Sequence, residues 1–70
     1  MFINLDGVII NDEYIGYAYV YKSDVEKTNK WILHIRFAND NQHGDSIQLK
    51  YKTKKEAEEM LQKLEEKLSE

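Results

Sequence analysis

Apolar residues recur at every second position through three stretches of the chain, and at every third or fourth position through its C-terminal part. The clearest alternation is Trp31–Phe37 (WILHIRF). Trp31, Leu33, Ile35 and Phe37 share one face, and Ile32, His34 and Arg36 share the other. A period of two is that of a half-buried strand. Ser46–Tyr51 (SIQLKY) repeats it, with Ile47, Leu49 and Tyr51 opposing Ser46, Gln48 and Lys50. Ile15–Tyr21 (IGYAYVY) sets Ile15, Tyr17, Tyr19 and Tyr21 against Gly16, Ala18 and Val20. Upstream, Asp6-Gly7 separates FINL from VII, which predicts a tight hairpin pairing Phe2–Leu5 with Val8–Ile10, because glycine tolerates the positive φ of a primed turn. At the other end, Thr53 followed by Glu56 is a capping box. The helix it opens runs to about Leu68, with Ala57, Met60, Leu61, Leu64 and Leu68 on one stripe.

Polar segments join these elements: Asn11-Asp12-Glu13 as a break, Lys22–Lys30 as an exposed hairpin loop, and Ala38–Asp45 as a second loop. The pattern predicts an α+β fold. An antiparallel sheet of four to five short strands, a hairpin followed by a meander, carries one C-terminal helix packed on one face.

A single helix covers a single face. In Trp31–Phe37 that face holds Trp31 and Leu33, since His34 and Arg36 are costly to bury. Ile15–Tyr21 is ambiguous. Tyrosines turned inward would add bulk beside Trp31 and Phe37 and leave hydroxyls in need of buried partners. With Gly16, Ala18 and Val20 inward, the helix comes close and the larger side chains of the next strand fill the space. The second arrangement is preferred. It places Tyr17, Tyr19 and Tyr21 on an open face beside Ile32, His34 and Arg36 and near Lys50.

Size and charge narrow the partners. The chain has 70 residues and a formal net charge of −3, the size of a single domain. A domain this small buries roughly 60% of its unfolded surface, so it gains from association. With no cysteine, disulfides and thiolate metal sites are excluded. No apolar run approaches the ~20 residues of a membrane span, and MFINLDG lacks the marks of a signal peptide. A cytoplasmic location and no membrane contact are therefore expected. Residues 1–21 carry −3, residues 22–55 carry +4, and residues 56–70 carry −4. A generally basic nucleic-acid binder is not charged in this way.

Catalytic signals are weak. His34 falls mid-strand and His43 in a loop, neither with a nucleophile and an orienting acid beside it. Asp40–Asp45 resembles a cation loop, but an EF-hand requires glycine at the sixth position and glutamate at the twelfth. Counted from Asp40, those are Asp45 and Tyr51. Asp6, Asp12 and Glu13 read as turn and break residues. No enzyme, metal or cofactor is expected.

FINLDGVIIND, IGYAYVYK, the W-x-L-x-I-x-F and I-x-L-x-Y strands, and TKKEA opening a leucine-rich helix together resemble a loosely defined class of small proteins of bacteria, their phages and other mobile elements. The resemblance spans nearly the whole chain and implies the fold, not an activity. In order of elements the chain is also similar to the dimeric single-strand-binding coactivators, although it lacks their lysine-rich loops.

The expected function is that of a small non-catalytic protein-interaction module. It self-associates as a homodimer, or binds another protein, through Tyr17, Tyr19, Tyr21, Ile32, His34, Arg36 and Lys50. Single-stranded nucleic acid on the same face ranks second, because rings and cations interleave there. An acidic inhibitor of a nucleic-acid enzyme ranks third.

Overall fold

The computed structural model describes residues 1–38 and 46–69. Five strands precede one helix: β1 (Phe2–Leu5), β2 (Val8–Asn11), β3 (Ile15–Lys22), β4 (Trp31–Phe37), β5 (Ser46–Tyr51) and α1 (Lys54–Leu68). The fold is α+β, with antiparallel strands and a C-terminal helix, as expected. The strands form two sheets rather than one, β1-β2 and β3-β4-β5. The reason lies at Asp12–Tyr14, where the polar break is one turn of 3-10 helix. The Asn11 side chain caps it by accepting from the Glu13 N–H at 3.1 Å. The turn takes the chain out of the hairpin before β3 begins. Most of the loop expected over Ala38–Asp45, including His43 and the cation-loop resemblance, lies outside the described residues.

The hairpin is set by its turn. Asp6 and Gly7 both have positive φ, 53° and 83°, as a type I′ turn requires. Asn4 Oδ1 accepts from the Gly7 N–H at 3.0 Å. The resulting register pairs Leu5 with Val8 and Ile3 with Ile10, so these four side chains share the inner face. Ile3, Leu5 and Ile10 are buried, while Phe2 and Ile9 point outward and are exposed. The Met1 ammonium meets the Asp12 carboxylate at 3.0 Å and holds the open end.

In the larger sheet Val20 opposes Leu33 and Ala18 opposes Ile35. Leu33 in turn opposes Leu49, and Ile35 opposes Ile47. This is the face that meets α1 and the hairpin, and all of these residues belong to one core with Ile3, Leu5, Ile10, Tyr51, Ala57 and Leu64. The small-residue side of β3 is therefore the inside. Thr53 Oγ1 accepts from the Glu56 N–H at 3.2 Å and starts the helix. Ala57 and Leu64 are fully enclosed, and Met60 and Leu61 are half-buried. Leu68, at the end of the stripe, remains 43% exposed. Among the described residues no helix is long and apolar enough to cross a membrane.

Two features tie the parts together. A bulge between Ile15 and Tyr17 shifts the β3–β4 register. A Cβ on Gly16 would stand 3.0 Å from Ala38 Cβ and 3.3 Å from the Arg36 carbonyl oxygen, so glycine permits the close approach of backbone at this bend. Gly16→Val is expected to lower unfolding free energy by about 1–3 kcal/mol in denaturant titration. The second feature joins the two sheets: the Tyr51 hydroxyl donates to Asp6 Oδ2 at 3.2 Å. Burial of the ring, then the neighbouring carboxylate, push the hydroxyl up to about 12 from the ordinary 10.0. The folded chain thus holds this proton after the unfolded chain has lost it. The contribution is complete below pH 10.0 and is lost as pH rises towards 12. Tyr51→Phe should cost about 1 kcal/mol near neutrality and remove the late step from the phenolate absorbance titration. A titration indistinguishable from wild type would contradict this.

Candidate functional site

The remaining face of the three-stranded sheet is built by the same alternation that makes the core. Tyr19 stands directly opposite His34, Tyr17 opposite Arg36, and Tyr21 opposite Ile32. On the other side of β4, His34 opposes Gln48 and Ile32 opposes Lys50. All seven residues anticipated for the surface lie on this one face.

The rings form a continuous cluster. Tyr17 and Tyr19 stack with centroids 6.0 Å apart at 20°. Tyr19 lies 5.7 Å from Tyr21 and 5.1 Å from His34. Tyr17 and Tyr21 also contact the imidazole, at 6.4 and 6.5 Å. Separations of this size are those of favourable aromatic pairs. Tyr17 is 51% and Tyr19 45% exposed, while Tyr21 and His34 are half-buried. The hydrogen-bond contact of His34 Nδ1 is the Gln48 side-chain amide at 3.4 Å, not a carboxylate able to orient a general base. Among the described residues no three of His, Cys, Asp and Glu are grouped to hold a metal ion.

Two of the anticipated residues differ in role. Ile32 is only 1% exposed, so it is floor and not accessible surface. Lys50 is engaged: its Nζ lies 2.7 Å from Glu26 Oε1. The segment between β3 and β4 is a mostly exposed loop, as expected, but it has an ordered neck and reaches the sheet through Glu26. The Ser23 N–H donates to the Lys30 carbonyl at 2.7 Å, closing its neck. Ser23 is buried and its hydroxyl accepts from the Val25 N–H at 3.3 Å. Asn29 turns the chain with a φ of 52°. Glu26 is thereby brought to Lys50, the cross-strand neighbour of Ile32. Only the tolerance of asparagine for positive φ hinted at this return in the sequence. The loop thus engages Lys50 at the Tyr21–Ile32 end, while Tyr17, Tyr19 and Arg36 are exposed at the other.

The acidic side chains Glu58, Glu59, Glu65 and Glu66 are exposed on α1, and Glu65 lines one groove together with Tyr17. Comparison with protein-family models, curated proteins and solved structures finds no match to this chain.

Since half of the Tyr19 ring is already in solvent, Tyr19→Ala should leave the chain folded. The loss of its cross-strand contact with His34 should cost about 0.5–1 kcal/mol in thermal or denaturant unfolding. A loss of several kcal/mol would mean that the ring is core.

Proposed function

We propose that this chain is a small non-catalytic interaction module that self-associates through the open end of its aromatic face, centred on Tyr17 and Tyr19 with Tyr21, His34 and Arg36 around them. The observation that carries the reading is a cluster of mutually contacting rings, two of them half exposed, that no described element covers. Contiguous apolar surface of this kind marks contact sites, and tyrosine suits them, with a broad ring and a wet hydroxyl.

Charge favours a second copy over a nucleic-acid strand. A two-fold interface brings a patch against itself, so a patch of one strong sign repels its own copy. Here Lys50 is neutralised by Glu26, and Arg36 is the remaining base among the anticipated residues. The same fact weakens the nucleic-acid reading, because stacked bases need several cations along the backbone. The net charge of −3 adds repulsion.

Sedimentation across a concentration range tests this. Wild type should form a dimer, and Tyr19→Glu a folded monomer. A monomeric wild type that retards a single-stranded oligonucleotide at low salt, with retardation lost on adding salt, would overturn self-association in favour of nucleic acid.

A further inference from the structure

β3 is an edge strand, paired on one side only, and its hydrogen-bonding sense can be read from its neighbour. The Ser23 N–H bonds to the Lys30 carbonyl, one step beyond the Lys22–Trp31 pair. In an antiparallel ladder bonded and non-bonded pairs alternate. Tyr21–Ile32, Tyr19–His34 and Tyr17–Arg36 are therefore the bonded pairs. Ala18, Val20 and Lys22 turn their N–H and C=O groups away from β4, where no described strand meets them.

Edges of this kind are usually protected by charge, proline, brevity or a bulge. β5, the opposite edge, is shorter and carries Lys50. β3 has eight residues, no proline, and no charge from Ile15 to Tyr21. Its protective devices, the bulge at the Ile15–Tyr17 end and Lys22 at the other, leave Ala18–Tyr21 between them without one. A groove of mixed lining runs beside the bulged end of the same edge, with Ile15 and Ala18 of β3 and Leu61 and Leu68 of α1 on its apolar side and Asp12 and Glu65 on its polar side.

We infer that β3 pairs antiparallel with β3 of a second copy, joining the two three-stranded sheets into one of six strands about a two-fold axis through Tyr19. This rests on the self-association proposed above but moves the contact from the face of the rings to the edge of the strand that carries them. The occupant follows from self-complementarity. With Tyr19 opposite the partner's Tyr19, the outward backbone groups of Ala18 meet those of the partner's Val20, and those of Val20 meet the partner's Ala18. Tyr17 then falls opposite the partner's Tyr21, and Tyr21 opposite the partner's Tyr17. Every tyrosine of the strand meets a tyrosine on the open face, while small residues meet on the inner face. A centre on Ala18 or Val20 breaks this matching.

The chain contains no cysteine, so single thiols report the register. Directly opposed residues of a non-bonded antiparallel pair have Cα atoms about 4.5 Å apart, within disulfide reach. Packed sheet faces lie about 10 Å apart, beyond it. Under mild oxidation Tyr19→Cys should give cross-linked dimer as the main species. Tyr17→Cys and Tyr21→Cys should each stay uncross-linked alone and form a heterodimer when mixed. A reduced Tyr19→Cys chain that sediments as a dimer yet fails to cross-link on oxidation would overturn the edge pairing and leave face-to-face association standing. Cross-linking of Tyr17→Cys alone as readily as Tyr19→Cys would overturn the register. A wild type that stays monomeric throughout would overturn both readings.

Discussion

Burial of Leu33 and Ile35 on one side of β4 is the constraint from which the rest of the sheet follows. Directly opposed residues of neighbouring strands share a face, and the face changes at every step. Once Leu33 is inside, Val20 and Leu49 are inside with it, and Ile35 brings in Ala18 and Ile47. The same rule sends His34 outward and takes Tyr19 and Gln48 along. The aromatic face is thus a consequence of the core. A slip of one residue between β3 and β4 would bury the tyrosines and expose Ala18 and Val20.

One helix is too narrow to close the core over three strands by itself. The hairpin completes the closure, contributing Ile3, Leu5 and Ile10. This explains why the first two strands are detached from the main sheet. As a fourth and fifth strand they would widen the surface to be covered. As a separate flap they cover it, and Tyr51 and Asp6 join the flap to β5. In a domain of this size each such residue matters, because surface is large relative to volume.

The small inner side of β3 has a further effect. Because Ala18 and Val20 meet the core, all three tyrosines of that strand, Tyr17, Tyr19 and Tyr21, fall on the outer side. Because β3 is at the edge, its spare backbone groups lie within a residue of those rings. Face and edge are two aspects of one strand, and a partner that takes up the hydrogen bonds of one also borders the rings of the other. The β3–β4 loop pairs Lys50 with Glu26 at the Tyr21 end of the face, and the most exposed rings, Tyr17 and Tyr19, stand at the other end beside Arg36.

The sequence by itself determined what is local. Period-two alternation in Trp31–Phe37 and Ser46–Tyr51, Asp6-Gly7 at a primed turn, and Thr53 with Glu56 at a helix start each express a backbone preference or a face that a few neighbouring residues decide. The orientation of β3 is ambiguous in its own alternation and is preferred on size, since inward tyrosines would crowd Trp31 and Phe37 and leave hydroxyls without partners. Tertiary structure alone decided what depends on residues far apart in the chain. The division into two sheets follows from how the hairpin packs, not from its strand pattern. The Tyr51–Asp6 and Lys50–Glu26 contacts join residues 45 and 24 positions apart, and no spacing rule announces them. The meeting of Glu26 with Lys50 depends on the path of a polar loop. Its composition marks it as a connection, but where it comes to rest is set by the sheet beneath it.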